Sequence, residues 1–219
     1  MPTVAITGAG TGLGKALAFE YAENGYKVYL LGRRTEPLQL VQHQITEKGG
    51  KAEVVLCDVR EIASIQIAFQ RIEKLDVFIN NAGIGIFGPI DDYDVEDIDA
   101  TLNTNVKGTI LTVQSALPLI QESKGRILTI ISTAGLRGKV NESLYCASKF
   151  AVRGFTEALQ QEWADEDFTI TAVYMGGMNT PFWKKSTHVE DPSRLKGPEV
   201  VAKQIFAEDD GRKEIVVDR

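Results

Sequence analysis

The sequence is poor in the side chains that most often carry chemistry on their own. Among 219 residues there are two cysteines, Cys57 and Cys146, and two histidines, His43 and His188. Residues so few and so scattered make neither a disulfide framework nor a metal-ligand set, so no metal site is expected. Positive charge is also in deficit: 24 Lys and Arg against 30 Asp and Glu leave a formal net charge of -6. That balance gives no long-range attraction for nucleic-acid phosphates or anionic lipid, and no window holds a basic cluster; neither nucleic acid nor membrane is expected as a partner. No apolar run approaches the roughly 18 residues needed to span a bilayer. The opening Met1-Pro2-Thr3-Val4 lacks the basic region of a secretion signal, and a cytoplasmic location is the expectation. What the chain does have, 43% hydrophobic and 25% charged residues, is the composition of a globular domain.

Short apolar runs alternate with longer amphipathic stretches from end to end, the pattern of strands each followed by a crossover helix. Seven strands are predicted, at Thr3–Thr7, Lys27–Leu31, Ala52–Cys57, Asp76–Ile79, Arg126–Ile131, Thr169–Tyr174 and Glu214–Val217. Most are β-rich without alternation, as a parallel sheet buried on both faces requires. Helical spacing occupies Leu13–Asn24, Glu36–Lys48, Ile62–Lys74, Asp97–Leu117, Leu144–Trp163 and Glu199–Ala207. The expected class is therefore α/β: a Rossmann-like, doubly wound, mostly parallel seven-stranded sheet with helices on both faces. No repeat or linker interrupts it, so residues 1–219 read as one domain. The acidic stretch Asp91–Asp99 is expected to be solvated near a helix N-terminus.

The first strand runs into Thr7-Gly8-Ala9-Gly10-Thr11-Gly12-Leu13-Gly14 and then into a helix. Glycines let backbone approach a pyrophosphate closely, and the free N–H groups and positive end of a helix stabilise its charge. The alternative is a plain Gly-rich turn; the position between the first strand and first helix favours a dinucleotide. Strand two ends in Leu31-Gly32-Arg33-Arg34. An acid there would bind a ribose 2′-hydroxyl and repel a 2′-phosphate, whereas a guanidinium pairs with the phosphate, so NADP(H) is preferred over NAD(H). Two surface arginines after a strand remain the simpler alternative.

Tyr145 and Lys149 lie four residues apart in a helical stretch and so share one face. Six tyrosines would give about 0.4 such pairs with a lysine by chance, so the pair alone proves little. A lysine cation beside a tyrosine favours the phenolate and draws its pKa toward the range useful for general acid or base catalysis.

With these motifs in order, the chain resembles the short-chain dehydrogenase/reductase family over nearly its whole length. Thr7 to Gly14 fits the family's T-G-x-x-x-G-x-G loop. Asp58 follows strand three, Asn80-Asn81-Ala82-Gly83 follows strand four, Asn105 lies in the next helix, and Ser132 ends strand five, thirteen residues before Tyr145. The resemblance implies that Tyr145 gives its proton to a carbonyl oxygen during reduction. Lys149 would lower the Tyr145 pKa and bind the nicotinamide ribose, Ser132 would hydrogen-bond the substrate oxygen, and Asn105 would hold a water that relays protons through Lys149. For the cofactor it implies Gly8, Gly10, Thr11, Gly12, Leu13 and Gly14 at the pyrophosphate and Arg33 at the 2′-phosphate. Asp58 and Val59 would meet the adenine, and Asn81, Ala82 and Gly83 would lie along the cofactor. Gly176, Met178 and Thr180 would meet the carboxamide end. Homodimers or homotetramers through the fifth and sixth crossover helices are also implied. Cys146, beside Tyr145, reads as a packing residue rather than a nucleophile.

The chain departs from the family in two places. Met175 stands where a proline is usual, giving that backbone one more donor and a freer φ. The substrate lid, near residues 182–198, is short, and a comparatively open substrate site follows as an expectation. Ile84, Ile86, Phe87, Leu136, Val140, Phe182 and Trp183 would line it with few charges. The expected activity is NADP(H)-dependent interconversion of a carbonyl and an alcohol on a small, largely apolar substrate. A catalytically silent NADP(H)-binding regulator is the alternative.

Overall fold

In the computed structural model, which describes residues 1–184, 186 and 188–217, the first strand β1 (Thr3–Thr7) is buried at every position. Its residues divide between two cores: Val4 and Ile6 pack on one face of the sheet, Ala5 on the other. A run apolar at every step, rather than at alternate steps, follows from burial on both faces. The remaining strands are β2 (Lys27–Gly32), β3 (Lys51–Leu56), β4 (Val77–Asn80), β5 (Arg126–Ile130), β6 (Thr169–Met175) and β7 (Glu214–Val217). They form one sheet in the order β3-β2-β1-β4-β5-β6-β7, and every pairing is parallel.

The helices are α1 (Gly12–Glu23), α2 (Thr35–Glu47), α3 (Ile62–Gln70), α4 (Val95–Leu102), α5 (Gly108–Ser123), α6 (Ser143–Glu162) and α7 (Pro198–Ala207). Leu17 of α1, Val41 of α2 and Ile205 of α7 enter the core with Val4 and Ile6. Ile65 of α3, Val113 of α5 and Phe155 of α6 lie on the opposite face with Ala5 and Phe78. Strand order reverses between β1 and β4, and in a doubly wound sheet the crevice beyond the strand ends at that reversal is where ligands bind.

Three expectations from the sequence need local correction. The stretch from Asp97 to Leu117 is not one helix: α4 and α5 are separated by a wider π-turn at Asn103–Lys107. Helix α3 stops at Gln70, four residues early. Asp76 lies before β4 rather than in it, because its Oδ2 accepts from Thr3 N at 2.8 Å and Thr3 Oγ1 at 3.0 Å, bracing the starts of two strands. Asp94, in the acidic stretch, caps α4 by accepting from Asp97 N at 2.7 Å. Met175, in place of proline, continues β6 by one residue and pairs with Val217. Among the described residues no helix is long and apolar enough to cross a membrane.

Candidate active site

The turn after β1 is shaped for close approach. Gly12 has φ +55, and a Cβ there would come within 3.3 Å of Thr180 Cβ. At Gly14 a Cβ would stand 2.3 Å from the Gly8 carbonyl oxygen, so no other residue fits without moving backbone. Helix α1 starts directly from this turn, and Thr11 provides no side-chain cap among the described residues. The first N–H groups of α1 are therefore available to an anion. Beside the turn, Thr7 Oγ1 accepts from Asn81 N and Ala82 N, both at 2.9 Å, while Asn81 Nδ2 donates to Thr7 O at 2.8 Å. These bonds hold the ends of β1 and β4 together at the reversal point.

A cleft of about 640 Å³ runs from this turn across the sheet edge. Gly8, Gly10, Thr11, Gly12 and Leu13 line it, with Arg33 and Val59. So do Asn81, Ala82 and Gly83, and Gly176, Met178 and Thr180. Ser132, Tyr145 and Lys149 line it as well. Three expected residues do not. Gly14 lies behind the turn against Gly8. Asp58 is held by Arg60, whose Nη2 lies 2.7 Å from Oδ2; that pairing, more than any other influence, holds its carboxyl below the usual range. Asn105 is 1% exposed and its amide is spent within the protein. Its Oδ1 accepts from Ile84 N at 2.8 Å, and its Nδ2 donates to Ile84 O at 2.8 Å and Ser148 Oγ at 3.0 Å. The side chain thus holds the loop after β4 against α6.

Tyr145 and Lys149 share the buried face of α6. Burial pushes the Tyr145 hydroxyl well above its usual pKa, a hydrogen bond with Ser132 opposes the rise, and the Glu142 carboxylate adds to it. Burial lowers Lys149 to about 8, and its Nζ donates to Ile130 O at 3.0 Å. In the protein alone, burial therefore favours the neutral hydroxyl of Tyr145; the lowering expected from the sequence depends on cofactor charge as well as on Lys149. Ser132 has φ +138, uncommon for a residue with a side chain, and its Oγ accepts from Ala134 N at 3.2 Å. Backbone strain of this kind gathers at functional sites.

At the substrate end, aromatic side chains meet a pair of charged ones. Phe87 and Phe182 pack on the Tyr145 ring with centroids 5.3 and 5.9 Å away, leaving Tyr145 7% exposed. Ile84, Phe182 and Trp183 line the cleft, but Leu136 and Val140 are exposed to solvent, at 41% and 83%. Lys139 and Glu142 line it as well. Sequence spacing gave no signal for them beyond Glu142 standing three residues before Tyr145. Of the predicted lid, positions 185 and 187 lie outside the described residues.

The chain is similar to many known oxidoreductases. It is 38% identical over 180 residues to an uncharacterized oxidoreductase of Staphylococcus aureus strain MW2, covering 80% of this chain and 77% of that one. It is 33% identical over 187 residues to a 3beta-hydroxysteroid dehydrogenase of Mediterraneibacter gnavus, covering 83% and 68%. An actinorhodin polyketide ketoreductase variant solved with NADPH superposes with a TM-score of 0.88 at 27% identity, covering 99% of this chain and 95% of that one. Residues 2–191 match the family described as short chain dehydrogenase. With the glycine turn, six of the seven strands and the Ser132–Tyr145–Lys149 wall inside that span, the chain belongs to the short-chain dehydrogenase/reductase family of oxidoreductases.

Proposed function

We propose that the protein is an NADP(H)-dependent reductase or dehydrogenase that interconverts a carbonyl and an alcohol on a small, largely apolar substrate. The observation that carries this reading is that Ser132, Tyr145 and Lys149 line the same cleft as the glycine turn. The residues present suit a dinucleotide: backbone N–H groups at the start of α1, a Gly14 contact that tolerates no side chain, and Arg33 and Arg34 lining the bank beyond β2. Among the described residues no carboxylate from that bank lines the cleft, which favours a 2′-phosphate over a bare ribose hydroxyl.

NADP(H), when bound, supplies or takes up the hydride. Tyr145, held protonated by burial, donates its proton to the carbonyl oxygen as the alcohol forms. Ser132 donates a hydrogen bond to the same oxygen, stabilising its developing charge. Lys149 places a cation beside the phenolate left after transfer and meets the nicotinamide ribose. Gly83 lies close to both Lys149 and Asn105: a Cβ there would be 3.8 Å from Lys149 Nζ and 3.3 Å from Asn105 Oδ1. Asn105 serves this reaction as a positioning residue. Val59, Gly176, Met178 and Thr180, which line the cleft, would meet the cofactor, and Asp58 would act on the adenine only from beside the cleft, paired with Arg60. A homo-oligomer is part of the same reading, supported by exposed apolar side chains on successive helices, Leu102 on α4, Ile110 on α5 and Phe150 on α6.

The test follows NADPH absorbance with a panel of ketones, aldehydes and quinones. Turnover that falls roughly 10²–10⁴-fold in Tyr145→Phe is the expected result. Tight NADPH binding without any Tyr145-dependent turnover would overturn it in favour of a silent NADP(H)-binding regulator.

A further inference from the structure

Two polar side chains outside the Ser132, Tyr145 and Lys149 set meet at the substrate end. Glu142 stands immediately before α6, and only 10% of its side chain is exposed. Its Oε1 lies 2.9 Å from His188 Nε2, and its Oε2 lies 3.7 Å from Lys139 Nζ. A carboxylate only accepts hydrogen bonds, so Nε2 carries the proton. His188 belongs to the segment between β6 and α7, 46 positions away in sequence. Its ring stacks on Phe87 with centroids 4.8 Å apart and planes 14° apart. Phe87 also carries Trp183, stacked at 5.3 Å and 27°, and meets the Tyr145 ring at a steep angle. One hydrogen bond therefore ties the start of the catalytic helix to an aromatic wall beside the proton donor.

A buried ionic contact is weak evidence for stability, since desolvation offsets much of its attraction; its better-attested use is to select one arrangement among several. Here the alternatives are other packings of rings that could slide over one another. With His188 donating to one oxygen and the Lys139 cation near the other, the Glu142 carboxylate has partners inside the protein and does not call for a cationic substrate.

We propose that Glu142 and His188 are positioning residues for the substrate. Their hydrogen bond holds the His188 ring against Phe87 and, through Phe87, fixes Trp183, which lines the cleft, and a planar, uncharged aromatic carbonyl compound lies against Trp183 when its oxygen reaches Tyr145. This rests on the carbonyl-reduction reading and sharpens it to a substrate class.

The experiment compares acetophenone with cyclohexyl methyl ketone, the same ketone with a saturated ring, in wild type, Glu142→Ala and Glu142→Gln. Glutamine keeps an acceptor for His188 without the charge. The expected result is an acetophenone KM raised about fivefold or more in Glu142→Ala with kcat within about twofold, a reduced preference over the saturated ketone, and unchanged NADPH affinity. Glu142→Gln restores most of the loss. A Glu142→Ala variant with unchanged KM and preference overturns the proposal. So does one that loses NADPH affinity and both activities together, which marks a merely structural role, or a Gln variant as impaired as the Ala variant.

A second readout needs no turnover. In a Trp163→Phe background the fluorescence of Trp183 reports the wall directly. Glu142→Ala is expected to shift its emission to the red and increase acrylamide quenching, with Gln reversing both; an unchanged spectrum overturns the positioning role. If wild type reduces neither ketone, carbonyl reduction fails for this class while the fluorescence still decides the pair.

Discussion

The ammonium of Lys149 lies 5.8 Å from the centre of the Tyr145 ring, and both side chains are buried, at 6% and 7% exposure. A cation kept from water costs stability, which is why burial brings Lys149 down to about 8. In the cofactor-free protein the unfolded chain binds the Lys149 proton more tightly than the folded one, so folding is penalised while both states are charged. The penalty disappears as pH rises from about 8 toward the unfolded value near 10.4, by at most about 1.4 kcal/mol per pH unit. Urea unfolding of wild type and Lys149→Met at pH 7.5 and pH 10 measures this. Wild type should gain stability relative to the variant as pH rises. Parallel profiles would show that Lys149 is not held as a buried cation.

Arg33 offers a separate handle on cofactor choice. It lines the cleft just beyond β2, where a 2′-phosphate would lie. A charge-assisted hydrogen bond contributes about 1.5–3 kcal/mol, so Arg33→Ala should weaken NADPH binding roughly 10- to 100-fold. NADH, which lacks that phosphate, should lose little. Calorimetric titration of both cofactors checks the difference, and equal losses would remove the phosphate role from Arg33.

How far the sequence could be read depends on how local each signal is. The turn from Thr7 to Gly14 and the pair Tyr145 and Lys149 are encoded at fixed short spacings, and the structure places them on one cleft. β1 and β7 have the bounds their apolar runs suggest. Contacts between distant residues left no such trace. Glu142 and His188 meet across 46 positions, and a lone histidine read from sequence gives no hint of the carboxylate it faces. The π-turn at Asn103–Lys107 keeps helical spacing on both sides, so periodicity alone joins α4 to α5. Asp58 and Arg60 are two residues apart, a spacing short enough for the sequence to carry the signal of their pairing.

The glycine turn can be tested without changing any polar group. A methyl at Gly14 would meet the Gly8 carbonyl oxygen at 2.3 Å and Asn81 Nδ2 at 2.6 Å. Both belong to the link between the ends of β1 and β4, so neither can yield without disturbing the other. Gly14→Ala should cost about 1–3 kcal/mol, as overpacking usually does, and weaken NADPH binding at the same time. Thermal unfolding with and without NADPH measures both effects. A variant of normal stability and affinity would mean that the turn is looser than its contacts indicate.

Away from the cleft, Asp209 joins three elements through one carboxylate. Its Oδ1 accepts from Arg126 Nε at the start of β5, and its Oδ2 accepts from the Tyr21 hydroxyl on α1, each at 2.5 Å. The Asp209 side chain is 1% exposed, so these partners stand in for the water it has lost. The Tyr21 ring is packed edge-on against Tyr26 and Phe206, which leaves the hydroxyl no room to turn elsewhere. Removing the carboxylate strands a half-buried guanidinium and a buried hydroxyl together, a change that typically costs about 3–5 kcal/mol. Asp209→Ala should therefore unfold at markedly lower urea concentration than wild type. Asp209→Asn, which retains one acceptor for Arg126, should fall between them. Because this cluster shares no partner with the glycine turn, NADPH affinity of the folded variants should remain within about twofold of wild type. A matching loss of affinity at full folding would show instead that the α1–β5–α7 junction is coupled to the cofactor site.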